Sequence, residues 1–357
     1  MKVAIASDLH ISKENKGPLN VLSYILEQCE KLSIEKLVIA GDLCDRPPFP
    51  YKEIKQCIEA FDGVQVYIVL GNHDISGGEA FSGERLNCAT AQVVDTPRLL
   101  DSLPVLLLPY KEGKSASQEL ANLLFGISLK RNNWALISHC DFIASGASLV
   151  KEGYFPISQA DIIEFGPAKV VLGHIHQPPY LNEYVHYCGS AFALSKDETG
   201  PRKFFALDTN DFSLDIHTIQ TGPLYWREEV FLFPIAQPQR DIRTQLQDVA
   251  RSIREAFSKR DNFQNDLSLY IDINGILTTE DSAEWELRIN EMIENSFAGL
   301  CKSLNVNFNM DILPSIYRDV IKRYIAICSN TRLKDPDIPS GEIIMKGLEL
   351  FRKEIKI

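Results

Sequence analysis

Five short apolar runs in the first half of the chain each end in a polar cluster, and this repeated pattern limits the fold more than any other feature. Lys2-Val3-Ala4-Ile5-Ala6 leads into Ser7-Asp8-Leu9-His10, Lys36-Leu37-Val38-Ile39-Ala40 into Gly41-Asp42-Leu43-Cys44-Asp45, and Val66-Tyr67-Ile68-Val69-Leu70 into Gly71-Asn72-His73-Asp74. Further on, Trp134-Ala135-Leu136-Ile137 leads into Ser138-His139, and Lys169-Val170-Val171-Leu172 into Gly173-His174-Ile175-His176. Apolar runs of this length followed by turn formers read as buried strands. Between the first three lie helical patterns, one opened by Gly17-Pro18 with apolar Leu19, Leu22, Ile25, Leu26 and Cys29, the next through Ile54, Ile58 and Phe61. Such strand-helix repeats predict an α/β fold whose strand ends share one crevice. Alternation along an extended segment sets Asp8 and His10 on one side, and likewise His174 and His176.

The rest of the chain extends the same alphabet. Ser76-Gly77-Gly78 reads as a mobile loop, residues 92–94 and 105–108 as short strands, 115–129 as a helix, and 184–187 and 203–207 as two more strands. After Thr221-Gly222-Pro223 the pattern changes to a strand ending at Phe233, a helix over 241–259, a strand over 267–273, a helix over 282–294 and a strand near 305–310. Two amphipathic helices follow, over 314–328 and 340–355, separated by a Pro-containing linker. This divides the chain into domains at 1–222 and 223–312 and a helical segment at 313–357.

With 357 residues, 45% hydrophobic and 24% charged, the composition is that of a globular protein able to bury a substantial core. The eight cysteines form no C-x-x-C pair, no basic leader precedes an apolar run, and no stretch is long and apolar enough to span a bilayer. A soluble cytoplasmic protein with reduced thiols and no membrane contact is expected. The net charge of -11 argues against a chain that grips nucleic acid unaided, because that affinity comes largely from neutralising phosphates. Bound cations or a partner would reverse the charge locally.

The clusters supply Asp8, His10, Asp42, Asn72, His139, His174 and His176. Carboxylate, amide and imidazole together suit manganese, iron or zinc better than magnesium, which takes more oxygen and water. Any one of these histidines alone would be read as structural, but five clusters in series point to a binuclear site. Two carboxylates and two divalent ions leave about +2 charges, enough to hold a phosphodiester and a water activated for in-line attack. His186 and His217 belong to no cluster and read as structural or surface residues.

Asp8-Leu9-His10, Gly41-Asp42-Leu43-Cys44-Asp45, Gly71-Asn72-His73-Asp74, His139 and Gly173-His174-Ile175-His176 resemble the motifs of the calcineurin-like metallophosphoesterases over roughly residues 1–210. Tyr187-Cys188-Gly189-Ser190, Leu194-Ser195, Asp197-Glu198 and Pro178 narrow the resemblance to the SbcD type of DNA repair exonuclease, relative of the meiotic recombination eleven nuclease. The resemblance implies a β-sandwich flanked by helices, a small α/β capping domain and C-terminal helices. It also implies two divalent metals, with manganese expected. One would be held by Asp8, His10, Asp42 and His176 and the other by Asp42, Asn72, His139 and His174, with Asp42 as the bridge.

His73 then falls just outside the ligands, placed to protonate or stabilise the leaving oxygen, and the resemblance to related phosphatases implies that Asp45, three residues past Asp42, orients it. The competing readings are a structural His73 and an Asp45 that serves turn chemistry before Pro47-Pro48. Arg46 follows Asp45 as in the phosphate-gripping motif of phosphoprotein phosphatases, although Pro47 stands where that motif has glycine. Arg46 is either such a grip or a solvated loop charge. A phosphatase or cyclic-nucleotide phosphodiesterase is therefore the alternative enzyme, and a structural subunit with a relic site the non-enzymatic one. Lys130-Arg131 and Arg202-Lys203 read as solvated surface pairs.

In such nucleases the C-terminal helices bind the coiled coil of an SbcC-type ATPase. Here Tyr317, Val320, Ile321, Tyr324, Ile327 and Cys328 recur at helical spacing, Ile325 lies toward the opposite side, and Ile343, Ile344, Leu348, Leu350, Phe351 and Ile355 form a second broad face. DNA and that ATPase are the expected partners, with room left for a homodimer.

Overall fold

Strands made of aliphatic residues at every position have no polar face to show water, so they require a sheet covered on both sides. The first unit of the chain, Met1–Pro223, meets that requirement with two sheets packed face to face and helices outside them. The structure, a computed structural model, describes residues 1–126, 129–144, 154–179, 181–234, 236–237, 239–278, 282–313, 315–330 and 340–355.

In chain order the strands of this unit are β1 (Lys2–Ala6), β2 (Lys36–Ala40), β3 (Gln65–Val69), β4 (Ala91–Val94), β5 (Arg98–Leu99), β6 (Val105–Leu108), β7 (Ala135–His139), β8 (Phe142–Ile143), β9 (Ile157–Ser158), β10 (Lys169–Gly173), β11 (Val185–Tyr187), β12 (Lys203–Asp208) and β13 (Leu214–Thr218). One sheet runs β13-β12-β1-β2-β3-β4 and the other β11-β10-β7-β6-β5. β1 through β4 are parallel, as are β6, β7, β10 and β11, so the polar clusters after β1, β2, β3, β7 and β10 leave their sheets in register.

Alternate residues explain the layers. Val3, Ile5, Val38, Ala40, Tyr67 and Val69 face the second sheet and meet Val105, Leu107, Ala135, Ile137 and Val171. The intervening Ala4, Ala6, Leu37, Ile39, Val66 and Ile68 face outward against α1 (Gly17–Lys31) and α2 (Tyr51–Glu59). On the far side, Leu106, Leu108, Leu136, Val170 and Leu172 are covered from α4 (Ala116–Gly126) and α5 (Gln159–Phe165); α3 is the short Gly83–Leu86 turn of helix. The expected 115–129 helix is shorter, Ala116–Gly126, with 127–128 outside the described residues, and the short helical turns over His73–Gly78 are broken by a kink at Ser76 (ψ 160°) and Gly77 (φ 68°), where the sequence pattern places a loop. This is the α/β sandwich flanked by helices that the motifs imply.

The second unit, Leu224–Ile357, is built on the parallel strands β14 (Leu224–Leu232), β15 (Leu267–Thr278) and β16 (Ser303–Leu313), joined through α6 (Gln239–Ala256) and α7 (Ser282–Phe297). Leu224, Val230, Leu267, Leu269, Ile271 and Ile273 pack beneath Ile242, Leu246, Ile253, Ile289 and Ile293 of the two helices. α8 (Arg318–Asn330) and α9 (Ser340–Ile355) follow. They close a smaller core of Phe233, Ile276, Leu313, Ile321, Ile325, Ile344 and Leu348. Ile325, expected away from the main stripe, is therefore buried, whereas Val320 and Ile327 are exposed. The linker between these helices and the side chains of Phe351 and Ile355 lie outside the described residues.

Candidate metal centre

The loops after β1, β2, β3, β7 and β10 bring all seven candidate donors together. The donor atoms of Asp8, His10 and His176 lie within 4.8 Å of one another, and so do those of Asp42, His139 and His174. His10, Asp42 and His73 form a third such group, so Asp42 stands between the first two. Its Oδ2 is 3.3 Å from His139 Nε2 and 3.8 Å from His10 Nε2. Asn72 Oδ1 is 2.9 Å from His139 Nε2.

The convergence does not come from strand alternation. Asp8 (φ 53°), His10 (φ 51°), Asp42 (φ 52°) and His174 (φ 101°) all hold left-handed backbone, which a non-glycine residue adopts only at a cost of about 1–3 kcal/mol. The inversion at His174 sends it and His176 to different donor groups, where alternation along a strand would have placed them together. Two glycines permit the close packing: a Cβ on Gly41 would lie 2.1 Å from His139 Nδ1, and one on Gly71 2.2 Å from Asp42 Oδ1.

Hydrogen bonds set the histidine tautomers. His139 Nδ1 is 3.0 Å from the Ala40 carbonyl and His176 Nδ1 is 3.1 Å from Glu198 Oε1, so each Nδ1–H donates and each Nε2 is turned toward the other donors, able to bind an ion once it carries no proton. His174 Nε2 faces Asp141 Oδ1 at 3.4 Å, which leaves Nδ1 for the site. Asp8 accepts from Ser7 Oγ at 2.5 Å and from the His174 amide at 3.1 Å. Ser7, Asp141 and Glu198 are contacts of the candidate donors that reading the sequence for donors alone leaves out.

The electrostatics are those of a site short of positive charge. Burial, aided by the charge of Asp42, raises the Asp8 carboxyl above its ordinary value. Burial also pushes Asp42 upward, but the imidazoles of His139 and His10 outweigh it and hold this carboxyl low. Burial lowers His10 to about 4, whereas at His139 burial is overcome by Asp42 and Asp8, which raise it to about 9.

The donor set fits two cations. Ligands about 2.1 Å from one ion stand about 3.0–3.4 Å apart in octahedral or tetrahedral geometry, and His10 Nε2–His176 Nε2 is 3.0 Å, Asn72 Oδ1–His139 Nε2 2.9 Å and Asp42 Oδ2–His139 Nε2 3.3 Å. Mixed nitrogen and oxygen donors suit manganese, iron or zinc.

His73 lies at the edge of this constellation, its ring edge-on to His10 at 4.7 Å. Its Nδ1 is 2.9 Å from the Asp45 carbonyl and 3.3 Å from Asp45 Oδ1, so Asp45 engages Nδ1 and not Nε2. Arg46 is 79% exposed and meets Asp45 Oδ2 at 3.6 Å. Two surface expectations divide. His186 bonds the Glu183 carbonyl and His217 stacks on Phe204, both away from the donors. Arg202, by contrast, is 7% exposed and tied to Ser190, Gln177 and the His176 carbonyl, so it is no solvated charge. Arg131 donates to the carbonyls of Ile163 and Glu164.

No helix among the described residues is long and apolar enough to cross a membrane. Among solved structures the chain is similar to an archaeal phosphodiesterase at 15% identity, covering 61% of this chain and 99% of that one with a TM-score of 0.34. It is also similar to the E. coli phosphoesterase YfcE, at 19% identity over 61% and 100% of the two chains with a TM-score of 0.31. The Pseudomonas putida nuclease MPE is similar at 18% identity over 48% and 60%, with a TM-score of 0.24. No curated protein matches the chain. The model of the calcineurin-like phosphoesterase family matches residues 1–193. That stretch is more than half of the chain and contains every candidate donor from Asp8 to His176, and the chain belongs to this hydrolytic, metal-dependent family.

Proposed function

We propose that the chain is a manganese-dependent DNA nuclease of the SbcD type, acting as an exonuclease with room for endonuclease cleavage, together with a coiled-coil ATPase of the SbcC type in the cytoplasm. The observation that carries the reading is the segment from Tyr187 to Glu198, on which the narrower resemblance rests. Its Ser190 amide donates to the His176 carbonyl at 3.1 Å and its Glu198 carboxylate accepts from His176 Nδ1. The distinguishing motif thus belongs to the site and is not a surface decoration. A second α/β unit suits a polymeric substrate better than a small phosphoester.

Asp8, His10, Asp42 and His176 would hold one ion, and Asp42, Asn72, His139 and His174 the other. Two divalent ions there supply the positive charge that binds a phosphodiester and lowers the pKa of a water. His73, whose Nδ1 is bonded to the Asp45 carbonyl and lies 3.3 Å from the Asp45 carboxylate, would use Nε2 to protonate or stabilise the leaving oxygen, with Asp45 orienting the ring. By the resemblance, residues 223–312 would be the capping domain and 313–357 the segment that binds the ATPase, which would also supply the basic surface that an acidic chain lacks.

The test is manganese-dependent release of nucleotides from linear DNA, compared with hydrolysis of a phosphomonoester and a cyclic nucleotide by the same preparation. Turnover of either small substrate with none of DNA would replace this reading by the phosphatase or cyclic phosphodiesterase, for which Arg46 beside Asp45 is the favouring feature.

A further inference from the structure

Behind His176 lies a buried polar network that the proposed chemistry does not use. Glu198 is 6% exposed and Ser190 1%. One Glu198 oxygen receives His176 Nδ1–H at 3.1 Å; the other receives Ser190 Oγ–H at 2.5 Å and the Leu194 amide at 3.0 Å. Arg202 stands behind them, with Nη1 3.2 Å from Ser190 Oγ and 3.3 Å from the His176 carbonyl, and Nη2 2.8 Å from Gln177 Oε1. The same stretch reaches the other side of the site: Ser7 Oγ lies 3.2 Å from the Gly189 carbonyl while bonding Asp8, and the Ala191 amide donates to the Ser7 carbonyl at 3.0 Å.

A buried carboxylate is costly unless its oxygens are hydrogen-bonded, and here both are. The buried guanidinium supplies compensating charge through Ser190. The ring nitrogen that Glu198 does not touch, His176 Nε2, is the one 3.0 Å from His10 Nε2 and 3.7 Å from Asp8 Oδ1. A carboxylate on Nδ1–H fixes the tautomer, prevents the ring from turning and raises the basicity of Nε2.

We propose that Glu198, braced by Ser190 and Arg202, is a positioning residue that presents His176 Nε2 to a divalent cation shared with Asp8 and His10. It acts on that cation and not on the one near Asn72, His139 and His174. The equivalent support there, Asp141 on His174, is looser at 3.4 Å with its side chain 26% exposed, against 3.1 Å and a side chain 8% exposed for Glu198. The proposal rests on the binuclear reading for its metal but not for its tautomer.

Glu198→Gln in the full chain tests it, because the amide keeps the volume and loses the charge. Nitrogen NMR of the histidine rings, recorded on metal-free protein, is expected to show His176 in the Nδ1–H form in the unaltered chain and a mixture of tautomers in the variant. Calorimetric titration with manganese is expected to show two bound ions in the unaltered chain. In Glu198→Gln one of them should bind roughly 10- to 100-fold more weakly and the other unchanged. Ser190→Ala, a milder change, should move both readouts in the same direction by less, and keeps the test open should Glu198→Gln fail to fold. An unchanged His176 tautomer in Glu198→Gln with both manganese affinities intact overturns the positioning role and leaves the metal reading standing. Failure of the unaltered chain to bind two ions overturns the metal reading, while the tautomer result still decides whether Glu198 positions the ring.

Discussion

His10 Nε2 and His176 Nε2 face each other at 3.0 Å although 166 positions separate them in the chain. Two imidazole lone pairs at that distance repel unless a proton or a cation lies between them. The fold therefore brings together donors that gain from a shared positive charge, and metal binding should act on stability as well as on turnover.

Manganese is expected to raise the melting temperature, and to do so with proton release. His139 is raised from 6.5 to about 9 because Asp42 and Asp8 outweigh its burial, so it is protonated at neutral pH, whereas a ligand histidine must be neutral. A raised histidine stabilises the fold below its unfolded pKa and loses that contribution as pH rises through its folded value. The metal-free chain should lose stability between about pH 7 and pH 9, and manganese affinity should climb over the same interval. Calorimetry in buffers of different ionisation enthalpy measures the released proton; buffer-independent heats would remove His139 from the ligand set.

Asp42→Ala should lose both ions and all turnover while remaining folded. The carboxylate lies between the two donor groups and its Oδ1 also receives the His73 amide at 2.9 Å. Leaving that amide unpaired costs about 1–3 kcal/mol, which a chain with this much core can bear. Metal analysis of the purified variant reads the outcome directly, and two retained ions would sink the bridging role.

His73→Ala should keep manganese and DNA affinity while its rate drops about 100-fold or more, the scale of a lost general acid. Asp45→Ala should lose less, because the Asp45 carbonyl, 2.9 Å from His73 Nδ1, survives the substitution. His73 also shares a donor group with His10 and Asp42, so the competing outcome is concrete. Loss of one manganese ion from His73→Ala would make it a ligand.

The donors were legible because each sits at the end of a strand whose apolar run announces it, as with Val66 to Leu70 before Asn72. Their exact placement was not. Asp8, His10 and His174 reverse their backbone without a glycine to signal it, so alternation put His174 and His176 on one side when they serve different groups. Supports were harder still, since a carboxylate that receives Nδ1–H can come from any loop that passes. Asp141 and Glu198 carry no spacing rule, and Arg202 beside Lys203 reads as a surface pair until the fold buries it. In the C-terminal helices, burial of Ile325 depends on how α8 meets Ile276 and Leu313, which periodicity within the helix does not contain.

In the C-terminal helices some apolar residues close a core and others face outward, and only the outward ones can report on a partner. Ile321, Ile325, Ile344 and Leu348 close the small core with Phe233, Ile276 and Leu313, and Tyr324 donates to the Ile343 carbonyl at 3.4 Å. Charging Tyr324, or ending the chain at Leu313, would damage this unit and mimic the loss of a partner. Val320 and Leu350 are different: they are 53% and 62% exposed, apolar, and belong to none of the buried clusters. A glutamate there costs the free chain little, within the roughly ±0.5 kcal/mol usual for surface changes, but at a helix-on-coiled-coil contact it would bury an unpaired charge. Val320→Glu and Leu350→Glu should therefore leave the melting temperature and the proposed manganese-dependent cleavage of short DNA unchanged, and together weaken co-purification with the proposed coiled-coil ATPase at least tenfold, or about 1.4 kcal/mol. A pull-down with the ATPase coiled coil measures the effect, and full retention by the double variant would assign these faces to solvent and move the partner contact elsewhere on the chain.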